Sequence, residues 1–112
     1  MINKEVIKRW IKALRSGDYK QIIGTLRHDD KFCATGVLCD LHAKEYGIEW
    51  KIREMLRSDL YFSASTWPPD EVLRWAGLNN AQTQVIASWN DDGTSFKEIA
   101  THIESSLGVN DE

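Results

Sequence analysis

Apolar residues along this chain alternate between helical spacing and short extended runs. From Asn3 to Arg15, Val6, Ile7, Trp10, Ile11 and Leu14 fall at i, i+3, i+4 and i+7 intervals, which gathers them on one helix face. Asn3 suits the start of that helix and Gly17 its end. The segment from Tyr19 to Arg27 carries β-branched residues around Gly24, His28-Asp29-Asp30-Lys31 has turn chemistry, and Phe32-Cys33-Ala34 returns as a short strand. This pattern predicts a small hairpin. Thr35 then precedes a second helix, Gly36 to Tyr46, with Val37, Leu38 and Leu41 as its apolar stripe and Gly47 as its stop.

The segment 48–66 reads two ways. Trp50, Ile52, Met55 and Leu56 fit a helical interval, whereas Leu60-Tyr61-Phe62-Ser63-Ala64-Ser65 favours an extended strand, and the strand is the expectation adopted for 60–65. Pro68-Pro69-Asp70-Glu71 opens a further helix, since proline loses nothing in a first turn and acids suit the positive end of the dipole; Gly77 closes it. Ala81 to Trp89 forms another short helix, and Asn90-Asp91-Asp92-Gly93 a turn. Ser95-Phe96-Lys97-Glu98 has the spacing of a capping box and begins a last helix, with Phe96, Ile99, Ala100, Ile103 and Leu107 on its inner face. The sum is an α+β fold, several short helices packed on a small antiparallel hairpin or sheet. It forms one compact domain over residues 1–108 with a frayed tail at 109–112.

Composition agrees with one soluble domain: 112 residues, 42% hydrophobic and 28% charged. No apolar run approaches the roughly 20 residues that a membrane helix requires, and the first residues lack the apolar core of a signal peptide. With two cysteines the chain has too few for a disulfide scaffold, so a reduced, cytoplasmic setting is expected. The net charge of −3 disfavours general nucleic-acid binding. Lys4, Lys8, Lys12 and Arg15 nevertheless make the first helix locally basic and define the alternative of a phosphate contact.

Four soft ligands, His28, Cys33, Cys39 and His42, fall within fifteen residues and raise a zinc alternative. The Cys33–Cys39 gap exceeds the usual knuckle spacing, and a helix across these positions would splay the thiols, so two buried cysteines and two surface histidines are the simpler expectation. Cys33 also precedes a predicted helix, whose amino end favours a thiolate, which defines the alternative of a thiol-dependent enzyme with His42 or His102 as base. In Asn90-Asp91-Asp92-Gly93, aligning Gly93 with the glycine of a calcium loop places Ser88 and Ile99 where oxygen ligands belong, so a plain turn is expected. No phosphate loop or nucleophile elbow is present. No catalytic residue, metal or cofactor is therefore assigned.

Trp10-Ile11-Lys12-Ala13-Leu14-Arg15-Ser16-Gly17, Gly24-Thr25-Leu26-Arg27, Phe32-Cys33-Ala34-Thr35-Gly36-Val37-Leu38-Cys39-Asp40-Leu41 and Asn90-Asp91-Asp92-Gly93-Thr94-Ser95-Phe96-Lys97-Glu98-Ile99-Ala100 together resemble a family of small uncharacterised proteins of bacteriophages and some bacteria. Many of those relatives carry paired cysteines where this chain has Cys33-Ala34, a departure that argues against a role needing both thiols. The resemblance implies an accessory protein acting in a host bacterial cytoplasm, with a host or viral protein as partner. Of the five tryptophans, Trp10 and Trp75 fall on apolar helix faces; Trp50, Trp67 and Trp89, with Arg53 and Arg57, are the expected partner-binding residues of a non-enzymatic module.

Overall fold

The computed structural model describes residues 1–110, with Glu54 by its backbone only. Among them, the elements run α1 (Lys4–Ser16), β1 (Lys20–Gln21), β2 (Arg27–His28), β3 (Lys31–Phe32), α2 (Ala34–Tyr46), a 3₁₀ turn (Glu54–Leu56), α3 (Asp70–Ala76), α4 (Asn80–Asp91) and α5 (Phe96–Leu107). The fold is α+β, a helical layer with a small sheet at its side.

α2 is the axis of the molecule. Ala34 to Asp40, His42 and Ala43 are all buried, so this helix has no solvated stripe along most of its length, as a central helix should. α1 lies across it and also packs on α5 and α3, while α4 covers α2 from another side. Val6, Ile7, Trp10, Ile11 and Leu14 of α1 are buried as their spacing predicts. The Trp10 indole N–H donates to the Ala34 carbonyl at 2.9 Å, satisfying the one polar atom of a ring with no exposure. Asn3 caps α1, and Gly17 ends it at φ 81°.

Close approach explains Gly36. A Cβ there would stand 1.8 Å from the Leu26 carbonyl oxygen, so α2 lies flush on the backbone leading into β2. Cys33 N–H donates to that same Leu26 oxygen at 3.1 Å.

Several expectations are corrected. The sheet is mixed, in the order β1-β3-β2: β2 and β3 form the antiparallel hairpin, but β1 runs parallel to β3. Residues 60–65 are a chain reversal, in which Tyr61 and Ala64 bond each other and Phe62 sits at φ 57°. Tyr61 is buried on the core, and that tertiary anchor overrides the extended propensity of the run. Asn90 and Asp91 also complete α4, and the expected turn follows directly from them, with Gly93 N–H donating to the Asn90 carbonyl at 3.0 Å. The reciprocal capping box occurs at Asn79 and Gln82, while Ser95 caps α5 through its own hydroxyl. α2 begins at Ala34, two residues before the expected Gly36, with Cys33 as its N-cap. Val109, expected to fray, is buried at 3% exposure; Asp111 and Glu112 of the expected tail lie outside the described residues.

Candidate functional site

A cleft of about 340 Å³ opens beside the amino end of α2, between the loop at Gly24-Thr25, the segment Thr66-Trp67 and α4. Its floor is polar but already satisfied. Cys33 Sγ accepts from Gly36 N–H at 3.3 Å and lies 3.3 Å from the Thr35 hydroxyl. Asn90, 1% exposed, accepts from Ala34 N–H at 3.1 Å and from the Gln21 amide at 2.9 Å, and donates to the Ile22 carbonyl at 2.9 Å. One asparagine thereby ties α4, the start of α2 and the strand segment together.

Its wall is different. Gln84, Ser88 and Asp91 succeed one another at i, i+4 and i+7 on α4, with Ala87 between them, and Trp67 and Thr66 border the same cleft. The Gln84, Ser88, Asp91 and Thr66 side chains hold no hydrogen bond within the described residues.

Burial pushes the Cys33 thiol pKa up, outweighing the hydrogen bonds from Thr35 and Gly36, and the Asp91 charge pushes the same way. Cys39 is raised further by complete burial. Both cysteines are free. No histidine lines the cleft among the described residues, so Cys33 has neither a depressed pKa nor an adjacent base. The four proposed zinc ligands do not meet: among the described residues no group of three or more His, Cys, Asp or Glu could hold a metal ion.

His42, expected at the surface, is instead 2% exposed inside an aromatic cluster of Tyr46, Tyr61, Phe62 and Trp75. Its Nδ1 shares a 2.6 Å hydrogen bond with the Tyr61 hydroxyl, and its Nε2 lies 3.6 Å from a Glu71 carboxylate oxygen. Burial holds the Tyr61 hydroxyl pKa well above its ordinary value. Tyr61 therefore keeps its proton, and the Glu71 carboxylate facing Nε2 favours the tautomer with the ring hydrogen there, in which Nδ1 accepts from the Tyr61 hydroxyl. Burial lowers the His42 pKa, against the attraction of Glu71. The arrangement is a neutral core histidine. His28, with 21% of its side chain exposed, sits in β2 beside Asp29.

The five residues expected to bind a partner are distributed over three places. Trp50 is half-buried: its N–H donates to Asp40 at 3.1 Å, its ring packs on Phe32 and Tyr61, and Arg27 lies over it. Arg53 braces the loop it belongs to, donating from Nε to the Ser58 carbonyl at 2.8 Å, whereas Arg57 is exposed. Trp67, 38% exposed, borders the cleft. Trp89 stacks on His102 at 4.8 Å and borders a separate apolar groove between α4 and α5.

A feature the spacing concealed lies next to Trp50. Lys51 and Leu60 bond each other through both backbone groups at 2.8 Å, and the enclosed residues form a tip from which Ile52, Met55 and Leu56 project with 51%, 94% and 63% exposure. Asp59 braces the base: its carboxylate, 1% exposed, accepts from Arg53 N–H at 3.2 Å and lies 3.5 Å from Arg27 Nε. The available signal was three large apolar residues inside a segment with no helix cap and too short to bury them.

Of the basic set on α1, Lys4 and Lys12 are exposed and Lys8 is half-buried, while Arg15 is engaged with Glu104 at 2.6 Å. Arg9 reaches Glu45 at 3.6 Å and lies over Trp75. No helix among the described residues is long and apolar enough to cross a membrane.

A family model described as a domain of unknown function (DUF8296) matches residues 2–107. No curated protein and no solved structure matches the chain.

Proposed function

From the premise that the chain belongs to the DUF8296 family, we propose that it is a non-enzymatic protein-binding module of phage type, working in a bacterial cytoplasm. Its tip at 52–59 seats in an acid-rimmed apolar groove of a partner protein. The observation that carries this reading is the tip itself: Ile52, Met55 and Leu56 are held in water by a braced backbone. Full burial of such a side chain contributes about 1.5–3 kcal/mol; Met55 has nearly all of that to gain and the partly covered Ile52 and Leu56 a share of it, enough together to offset part of the cost of association. Lys51 and Arg57, both exposed, flank these side chains, so the complementary surface is acidic. The buried, raised-pKa thiols support a role without covalent chemistry.

A photo-crosslinking residue placed at Met55 is expected to capture one distinct bacterial or viral protein, and the same residue at Lys97 is not. Substituting Met55→Asp with Leu56→Asp should leave the melting temperature in place and weaken the isolated complex by about 30-fold or more, the size of a central hot spot. Capture confined to the chain's own copies, or unchanged affinity in the double variant, would refute this assignment.

A further inference from the structure

We propose that the cleft beside α2 is a second site, separate from the tip, which takes an uncharged ring-shaped ligand with an apolar face and a hydrogen-bonding rim, a nucleoside or a single sugar. Charge narrows the class first. No Lys, Arg or His lines the cleft among the described residues, and Asp91 stands on its wall. The first amides of α2 do not compensate, because Ala34 N–H is taken by Asn90 and Gly36 N–H by Cys33. A phosphate or carboxylate therefore finds a negative wall and no counter-charge.

Shape and hydrogen bonding narrow it further. The volume of about 340 Å³ lies at the low end of small-molecule pockets, room for one ring system with its substituents. The Trp67 indole, 38% exposed, offers a flat apolar face at one border. Along α4, Gln84 and Ser88 each donate and accept, Asp91 accepts, and Ala87 leaves space between them. These groups are uncommitted while the floor is saturated, so a ligand would bond to the α4 wall and pack on the indole without disturbing Asn90. Sugars and nucleosides share the required chemistry, an apolar ring face with a rim of hydroxyl or amide groups.

The test follows the Trp67 indole N–H resonance, assigned with Trp67→Phe, in two titrations of the intact protein. One uses the common nucleosides, the other neutral hexoses and their N-acetylated forms. One arm is expected to shift that resonance saturably with a Kd at or below about 1 mM. Ser88→Leu, a change at an exposed helix position that fills the cleft, should weaken binding about ten-fold or more with the melting temperature retained. The phosphate ester of the successful ligand should bind more weakly than the neutral parent. Absence of a shift in both arms at about 10 mM, tighter binding of the ester, or indifference to Ser88→Leu would each overturn the proposal. The Met55→Asp, Leu56→Asp variant should titrate like the parent protein, which keeps the fate of this site distinct from that of the tip.

Discussion

Substituting Asn90→Leu is expected to lower the melting temperature by about 15 °C, the equivalent of roughly 4 kcal/mol in a domain of this size. Leucine keeps the branched shape of asparagine and leaves no cavity, so the loss is chiefly polar, with some crowding from the larger methyl groups added to it. Three hydrogen bonds disappear, to Ala34 N–H, the Gln21 amide and the Ile22 carbonyl. Gln21 retains its bond to the Thr94 carbonyl at 2.7 Å and loses little. The other two are backbone groups that lose their partner, the Ala34 N–H buried and the Ile22 carbonyl partly so, and a buried group in that condition costs about 1–3 kcal/mol. Gln21→Leu removes the shared bond while Asn90 keeps its backbone partners, and should cost about 1 kcal/mol. Thermal melts of the pair distinguish a hub at Asn90 from a set of equivalent contacts, in which case both losses would be similar.

Gly36→Ala should destabilise by about 3 kcal/mol, although alanine is the better helix former by about 1 kcal/mol. The contest is decided by the Leu26 carbonyl, 1.8 Å from where the new Cβ must go. The obstacle is backbone, so no side-chain rotation relieves it. α2 has to lift from the segment leading into β2, which strains the bond from Cys33 N–H to Leu26. Urea unfolding measures this directly. A variant as stable as the parent would mean that α2 does not rest on Leu26.

How much of this was readable beforehand depended on how local the signal was. α1 and α5 were legible because each carries its own apolar face, cap and terminating glycine: Asn3 with Gly17, and Ser95 with Gly108. The parallel pairing of β1 was not, because two-residue strands have no period to detect and their partners are fixed by α2 and the core. The reversal at 61–64 was hidden for a related reason: Tyr61 is held by His42 from a different element. Asn90 was legible as turn chemistry, and its carbonyl does accept from Gly93, but only its contacts across the fold show its larger role at the end of α4. The wall of the cleft was within reach, since Gln84, Ser88 and Asp91 have helical spacing once α4 is extended through Asp91. The tip was masked by its own apolar residues, whose interval suggested a buried helix face where the chain instead exposes them.

The central claim, that this molecule binds and does not react, meets its most direct test in the pH dependence of Cys33 alkylation in the folded protein, resolved from Cys39 by peptide mapping. With the Cys33 pKa raised by burial and by Asp91, the thiolate is scarce near neutrality. The rate should then be slow and keep climbing beyond pH of about 8.5, where an ordinary thiol levels off. Rapid, complete labelling of Cys33 with a plateau near neutral pH would reveal an activated nucleophile and contradict the account.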